Sequence, residues 1–296
     1  MKKQCRRSAA KASVLSTAVH FDESGDDAVK VFISADMEGA TGIAMKDQCR
    51  KGSPYYQEGR RLLTHDVNAV IAGAFDGGAE EVIVADMHNG SFNLIHEELD
   101  KRAEVLYGVP HRGPRFPALT DDVDAMMLVA YHARAGTKAA VLDQTMSSRT
   151  IQRITVNGIE IGETGIEAGL AGAVGVPVVF VSGDDKVCGE LSELLGPIAA
   201  ISVKKGLARE RALCLSQEKT EKLLREGASR ALSLCGRIQP LIFDQPVEVV
   251  VEYKSTAAAD GVDLDNPAIR RLDGYRVQYT YDSFADWYGG AADKME

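Results

Sequence analysis

Metal-type side chains follow several separate apolar runs, and this feature narrows the folds open to the chain more than any other. Asp36 and Glu38 follow VFISA, Asp86 and His88 follow EVIVA, His132 follows MLVAY, and Glu163 follows the turn-rich VNGIEIG. Short apolar runs separated by helical segments read as strands of a largely parallel sheet covered on both faces. Ligands of such open sheets bind beyond the carboxyl ends of the strands. Residues distant in sequence therefore converge there. Carboxylates and imidazoles are the ligands a hydrolytic zinc site uses.

The expected class is α/β: a largely parallel central sheet flanked by helices, with a smaller C-terminal α+β unit. VKVFISADM, EVIVADMH, AEVLYGV, MMLVAYHARAG and VPVVFVSGDD read as strands of the first unit. YYQEGRRLLTHDVNAVIAGAFDGG reads as a helix. Tyr56, Leu63, Val67, Val70, Ile71 and Ala74 recur at helical spacing, and Gly77-Gly78 ends it. SFNLIHEELD reads as a short helix or turn. RTIQRITVNGIEIGE reads as a hairpin with Asn157-Gly158 as its two-residue turn, leading into the small-residue helix TGIEAGLAGAVG. After about residue 205 the texture changes. Ser216 is placed to cap QEKTEKLLREGASRALSLC, PVEVVVEYK and GYRVQYTYD alternate as strands, and SFADWYGG closes as a helix. The expected division is a tail over 1–28, a metal-binding α/β domain over 29–205 and an α+β subdomain over 206–296.

The net charge of −9 argues against a nucleic-acid partner, which needs a concentrated basic face. No apolar run approaches the roughly 20 residues that span a bilayer, so no membrane partner is expected. Cys5, Cys49, Cys188, Cys214 and Cys235 are scattered, odd in number and without C-x-x-C spacing. They read as free thiols in a reducing cytoplasm, which also argues against a thiolate zinc site. Residues 1–28 are basic at Lys2, Lys3, Arg6, Arg7 and Lys11 but carry only a short, weakly apolar stretch. They read as a disordered extension or a misplaced start in preference to a secretory signal.

Asp36 and Glu38 are two apart on an extended chain and point to one side. Carboxylates held that close repel unless a cation or proton lies between them; the same pair also fits a solvated surface turn. His88 and His132 each fit a ligand or a hydrogen-bonding cap. Asp86 either orients a ligand histidine or caps the next turn. Glu163 stands where a hairpin becomes a helix, a place the helix dipole also favours for a carboxylate. Arg134 is a candidate partner for a ligand carboxylate. Lys204 and Arg209 fit a substrate carboxylate or, more simply, solvated surface charge. Asp184-Asp185 fit caps of the following helix.

Taken together, SADMEGATGI, EVIVADMHNG, AYHARAGT, VNGIEIGETGIEA and VPVVFVSGDD, with a weaker match in SVKKGLARERALCLS, make the chain resemble the zinc-dependent D-aminopeptidases of the bacterial dipeptide-operon type. The resemblance covers roughly residues 30–215 well. It implies two zinc ions per subunit, with Asp36 shared between them and Glu38, His88, His132 and Glu163 completing the set. It also implies short peptides with an N-terminal D-residue as substrates, and a homo-oligomer, a ring-shaped decamer enclosing the active sites.

One position departs from that family. Its pattern has a histidine, the catalytic residue, where this chain reads V-L-D-Q-T-M-S-S with Gln144. Glutamine has no titratable nitrogen and accepts no proton near neutral pH. Three explanations compete: an introduced substitution, a natural one that leaves a metal-binding protein with impaired hydrolysis, or transfer of the proton role to another group, with Asp143 the nearest. An ungapped count from His132 puts Asp143 itself in the histidine's column.

Overall fold

The computed structural model describes residues 28–108 and 114–291. The basic tail lies outside them apart from its last residue. The chain runs through β1 (Lys30–Ala35), α1 (Tyr56–Asp76), β2 (Glu81–Asp86), β3 (Glu104–Leu106), β4 (Ala125–Tyr131), the hairpin β5 (Ile151–Val156) and β6 (Ile159–Ile161), then α2 (Glu163–Ala173), β7 (Val178–Asp184) and α3 (Asp185–Leu195). It continues through β8 (Ala199–Ala208), β9 (Arg211–Cys214), α4 (Gln217–Leu232), β10 (Val247–Tyr253), α5 (Thr256–Asp260), β11 (Ile269–Arg271), β12 (Arg276–Tyr281) and α6 (Phe284–Gly290).

Two sheets result. The first has the order β3-β2-β1-β4-β7-β8-β9 and is parallel except where β9 folds back on β8. β4 and β7 are buried along their whole length, as strands covered on both faces should be. The chain moves outward from β1 to β2 and β3, then returns to the other side of β1 as β4. The point of reversal, between β1 and β4, is where an open α/β sheet leaves a crevice for ligand. The second sheet, β11-β12-β10-β5-β6, is antiparallel. Its central strand β10 buries alternate residues, Val247, Val249, Val251 and Tyr253.

The expected class holds, and the strand runs fall where expected. SFNLIHEELD forms only a single 3₁₀ turn, His96–Glu98. Ser216 stands at the N-cap of α4, but its side chain makes no capping bond. The division expected at residue 205 does not separate the sheets. β8 crosses that residue inside the first sheet, and α4 packs on α1 in the same core. The hairpin β5–β6 belongs to the second sheet, because β10 pairs with β5 from Val249↔Val156 onward. Among the described residues no helix is long and apolar enough to cross a membrane.

Candidate metal centre

β1 and β4 end side by side, and the turn after β1 presses hard on β4. Gly39 donates its N–H to Ala130 O at 2.7 Å, and a Cβ at Gly39 would lie 2.0 Å from Tyr131 O. Only glycine permits that approach. β4 itself departs from regular strand: Ala130 has φ +61°, the register with β7 slips between Leu128 and Tyr131, and the freed Ala130 N–H is taken by Ser182 Oγ at 3.0 Å. A bulge of this kind re-aims the next side chains, here His132.

All five expected ligands converge at this crevice. His88 Nδ1 lies 3.1 Å from Asp36 Oδ1 and 3.0 Å from Glu38 Oε2. His132 Nε2 lies 3.4 Å from Asp36 Oδ2 and 3.4 Å from Glu163 Oε2. Ligand atoms of Asp36, Glu38 and His132 all fall within 4.8 Å of one another. Each histidine faces a backbone carbonyl with its other nitrogen: His88 Nε2 is 3.0 Å from Cys49 O, and His132 Nδ1 is 3.1 Å from Ala133 O. A ring N–H donated to a carbonyl leaves the opposite nitrogen as a metal donor, the arrangement metal-binding histidines adopt. Among the described residues, Asp36 Oδ2 and Glu38 Oε2 are buried without a hydrogen-bond partner. The 3.0 Å contact of His88 with Glu38 is an ion pair off the line of a hydrogen bond. Orphaned carboxylate oxygens facing imidazole nitrogens are the donor set a divalent transition metal completes.

The charges show the same need. Burial and the neighbouring Glu38 push Asp36 up to about 7 against the pull of His88 and His132. Burial raises Glu38 too, but His88 and His132 outweigh it and hold that carboxyl well below its ordinary value. Burial lowers His132, yet Glu163, Asp36 and Glu38 outweigh it and carry it to about 10. Without a cation the cluster holds protons in its place.

Glu163 reaches the site from the other sheet. The β5–β6 hairpin turns at Asn157-Gly158, both in the left-handed region, and β6 delivers Glu163 as the first residue of α2. Gln144 also faces the site. Its Nε2 donates to Glu38 Oε1 at 3.1 Å and lies 3.3 Å from His132 Nε2. Asp143 points away: its Oδ2 accepts the Gly136 N–H at 2.7 Å, and it pairs with Arg209 at 2.5 Å. A carboxylate so engaged is poorly placed to take a proton from the site.

Several supporting residues take other roles than expected. Arg134 pairs with Glu160 at 3.2 Å and Glu190 at 3.6 Å, not with a ligand carboxylate. Of its two expected roles Asp86 takes the cap of the turn after β2, accepting the N–H groups of Asn93 and Leu94 at 2.6 and 2.9 Å. Asn93 then donates to His88 O at 2.5 Å, so Asp86 reaches the histidine only through its backbone. Asp184 caps α3 as expected. Lys204 is buried, not solvated. Burial pushes the Cys49 thiol well up, so its carbonyl, not its sulfur, serves the site.

A second buried layer supports Glu163 and was not anticipated. Arg115 donates from Nε and Nη2 to Glu167 Oε1 at 3.0 and 2.9 Å and from Nη1 to Tyr288 Oη at 2.8 Å; Nη2 also lies 3.6 Å from Glu163 Oε1. Glu167 accepts from Ser34 Oγ at 2.8 Å, and Ser34 meets Tyr131 Oη at 2.7 Å. Two signals for this layer lie in the sequence: a serine inside the apolar run VFISA and a lone acid inside the small-residue helix TGIEAGLAG.

Comparison with known proteins agrees with this geometry. A family model described as D-aminopeptidase matches residues 29–291. A D-aminopeptidase of Bacillus subtilis is 31% identical over 237 residues, covering 80% of this chain and 85% of the relative. The solved structure of the Zn-dependent D-aminopeptidase DppA from Bacillus subtilis, described as a self-compartmentalizing protease, superposes with a TM-score of 0.85 at 28% identity, over 90% of this chain and 97% of that one. The chain belongs to the D-aminopeptidase family.

Proposed function

We propose that the chain is a dinuclear zinc aminopeptidase that hydrolyses short peptides beginning with a D-residue, and that Gln144 slows it. The observation that carries the zinc reading is the pair of histidines, each with one nitrogen on a backbone carbonyl and the other aimed at carboxylates. The two-ion reading is supported by how the contacts divide. Asp36 Oδ1 meets His88, which also faces Glu38, whereas Asp36 Oδ2 meets His132, which also faces Glu163. Glu38 and His88 would hold one ion, His132 and Glu163 the other, with Asp36 shared. Zinc, when bound, acts as a Lewis acid on the peptide carbonyl and supplies a nucleophile from water at neutral pH. The preference for a D-residue is carried over from the relatives.

The chain's own groups do the rest. The backbone carbonyls of Cys49 and Ala133 keep the histidine rings oriented. Gln144 can donate a hydrogen bond to a substrate or to Glu38, but it takes no proton, so the transfer a histidine performs at that position is missing. Loss of a general base costs about 10²–10⁴-fold in rate. Its bond to Glu38 also favours a second reading, a metal- and peptide-binding descendant that no longer turns over. We further propose a cytoplasmic homo-oligomer, a ring-shaped decamer, on the strength of the self-compartmentalizing relative and the scattered thiols.

The test is release of D-alanine from a D-Ala-D-Ala dipeptide by the zinc-loaded chain and by Gln144→His, beside an L-Ala-L-Ala control. The proposal expects slow, D-selective release that rises about 10²–10⁴-fold in Gln144→His. Release by Gln144→His alone supports the second reading. Zinc binding with no D-selective release by either protein rejects the assigned substrate.

A further inference from the structure

The turn that carries Asp36 and Glu38 is folded around a side chain from a distant strand. Lys204, on β8, is 2% exposed. Its Nζ donates to the backbone carbonyls of Glu38 at 2.6 Å, Ala40 at 2.9 Å and Ile43 at 2.6 Å. An ammonium has three donors and no acceptor, so one short turn fills its whole hydrogen-bonding capacity. The rest of the turn is held from other sides. Asp36 donates its N–H to Val129 O at 3.0 Å, Gly39 to Ala130 O, and Thr41 to Asp66 Oδ2 at 2.7 Å. Backbone carbonyls gathered around a buried cation replace its hydration shell, as they do for monovalent ions in channel filters. A charge buried without such partners costs far more than one so held. The cage atoms belong to the same turn as the two carboxylates, so its shape and their spacing are linked.

We infer that Lys204 is a positioning residue: it fills, as a tethered cation, a three-carbonyl cage in the turn after β1, and thereby sets Asp36 and Glu38 at the spacing zinc requires. Emptied of the lysine, the cage takes a small monovalent cation, ammonium above all. The inference rests on the zinc reading of the site for its consequence and on the carbonyl geometry for the cage itself.

The experiment uses the full chain, Lys204→Ala, Lys204→Met and Val249→Ala, the last a core substitution in the second sheet. Zinc affinity is measured by competition with a chromophoric chelator, and melting is measured on metal-free protein. Both are done in tetramethylammonium chloride, with and without added ammonium or methylammonium. Lys204→Ala is expected to weaken zinc about 10–100-fold, the range for residues that orient metal ligands, and to recover both zinc affinity and melting temperature with ammonium. Lys204→Met, whose side chain fills the space, is expected to lose affinity without recovery. Val249→Ala is expected to melt lower with unchanged zinc affinity. If Lys204→Ala folds only with ammonium present, the cage is upheld. Unchanged zinc affinity in both Lys204 variants, or a loss in Lys204→Ala that no cation restores, overturns it. Wild-type protein that binds no zinc rejects the functional reading instead, and the ammonium-dependent melting of Lys204→Ala then decides the cage alone.

Discussion

The two sheets bury different chemistry. Around the parallel sheet, Asp36, Glu38, Asp86, His88, Arg115, His132, Glu167, Asp184 and Lys204 are all buried. The apolar cluster around the antiparallel sheet is made of Ile, Val, Phe, Tyr, Trp and Ala; a notable polar contact within it is Tyr253 Oη to Tyr279 Oη at 2.8 Å. Burying ionised groups opposes folding unless each is paired, whereas burying apolar area favours it. Both sheets rest on apolar cores, the larger one around the first; the first differs in also holding the ionised groups that serve function. The second also lends the site two groups, Glu163 through β6 and α2 and Tyr288 through α6, so it acts as a platform as well as ballast.

Two substitutions should separate these roles most widely. Trp287, fully buried against Phe284 and Tyr288, should cost about 3–5 kcal/mol as Trp287→Ala in denaturant unfolding, with a smaller loss of zinc affinity than Arg115→Met, because it touches the site only through Tyr288. Arg115→Met should cost a similar amount, about 3–5 kcal/mol, because it strands Glu167 as a buried charge, but it should weaken zinc as well, since Glu163 loses its neighbour. If Arg115→Met left zinc affinity intact in equilibrium dialysis, Tyr288 and α6 would have no link to the site.

A substitution of opposite sign sharpens the contrast. Asp36→Asn removes a buried carboxylate that burial and Glu38 both disfavour. It should abolish tight zinc binding yet raise the melting temperature of the metal-free protein at pH 8. A lower melting temperature would mean that Asp36 contributes to folding without metal.

The titration of the metal-free protein follows the same reasoning. Asp36 rises from 3.8 to about 7, so the folded form holds that proton more tightly than the unfolded chain, and stability falls as pH climbs through this window. His132 rises from 6.5 to about 10, so its contribution is complete below 6.5 and lost as pH climbs toward 10. Both have the same sign. Metal-free protein should melt lower as pH is raised from 6.5 to 10, and the rise in melting temperature on adding zinc should widen over that range. A flat profile in calorimetry would rule out protons as the cluster's stand-in for metal. The smallest effect belongs to the second sheet: Tyr279→Phe should cost about 1 kcal/mol, one hydrogen bond, with no change in zinc affinity.

Much of this arrangement is legible in the sequence because it is local. Apolar runs mark the strands, and the side chains that meet in the crevice stand directly after them, so Asp36, Glu38, His88 and His132 can be picked out together from their shared placement. Glu163 is readable because a two-residue turn and a short strand precede it. What cannot be read is contact between distant segments. Lys204 looks like surface charge until its carbonyl partners, up to 166 residues away, are known. Arg115 stands 52 residues from Glu167 and 173 from Tyr288. The hairpin β5–β6 looks like part of the first unit because its strand partner β10 lies some 90 residues later. Gln144 is visible as an oddity, but only its placement beside Glu38, with Asp143 turned to Arg209, decides which of the two faces the site.

The central claim, that two zinc ions share Asp36, is tested most directly by anomalous diffraction at the zinc edge on crystals of the zinc-loaded chain. The account predicts two peaks per chain, one touched by Asp36, Glu38 and His88 and the other by Asp36, His132 and Glu163. A chain saturated with zinc that shows one peak or none among these five residues contradicts it.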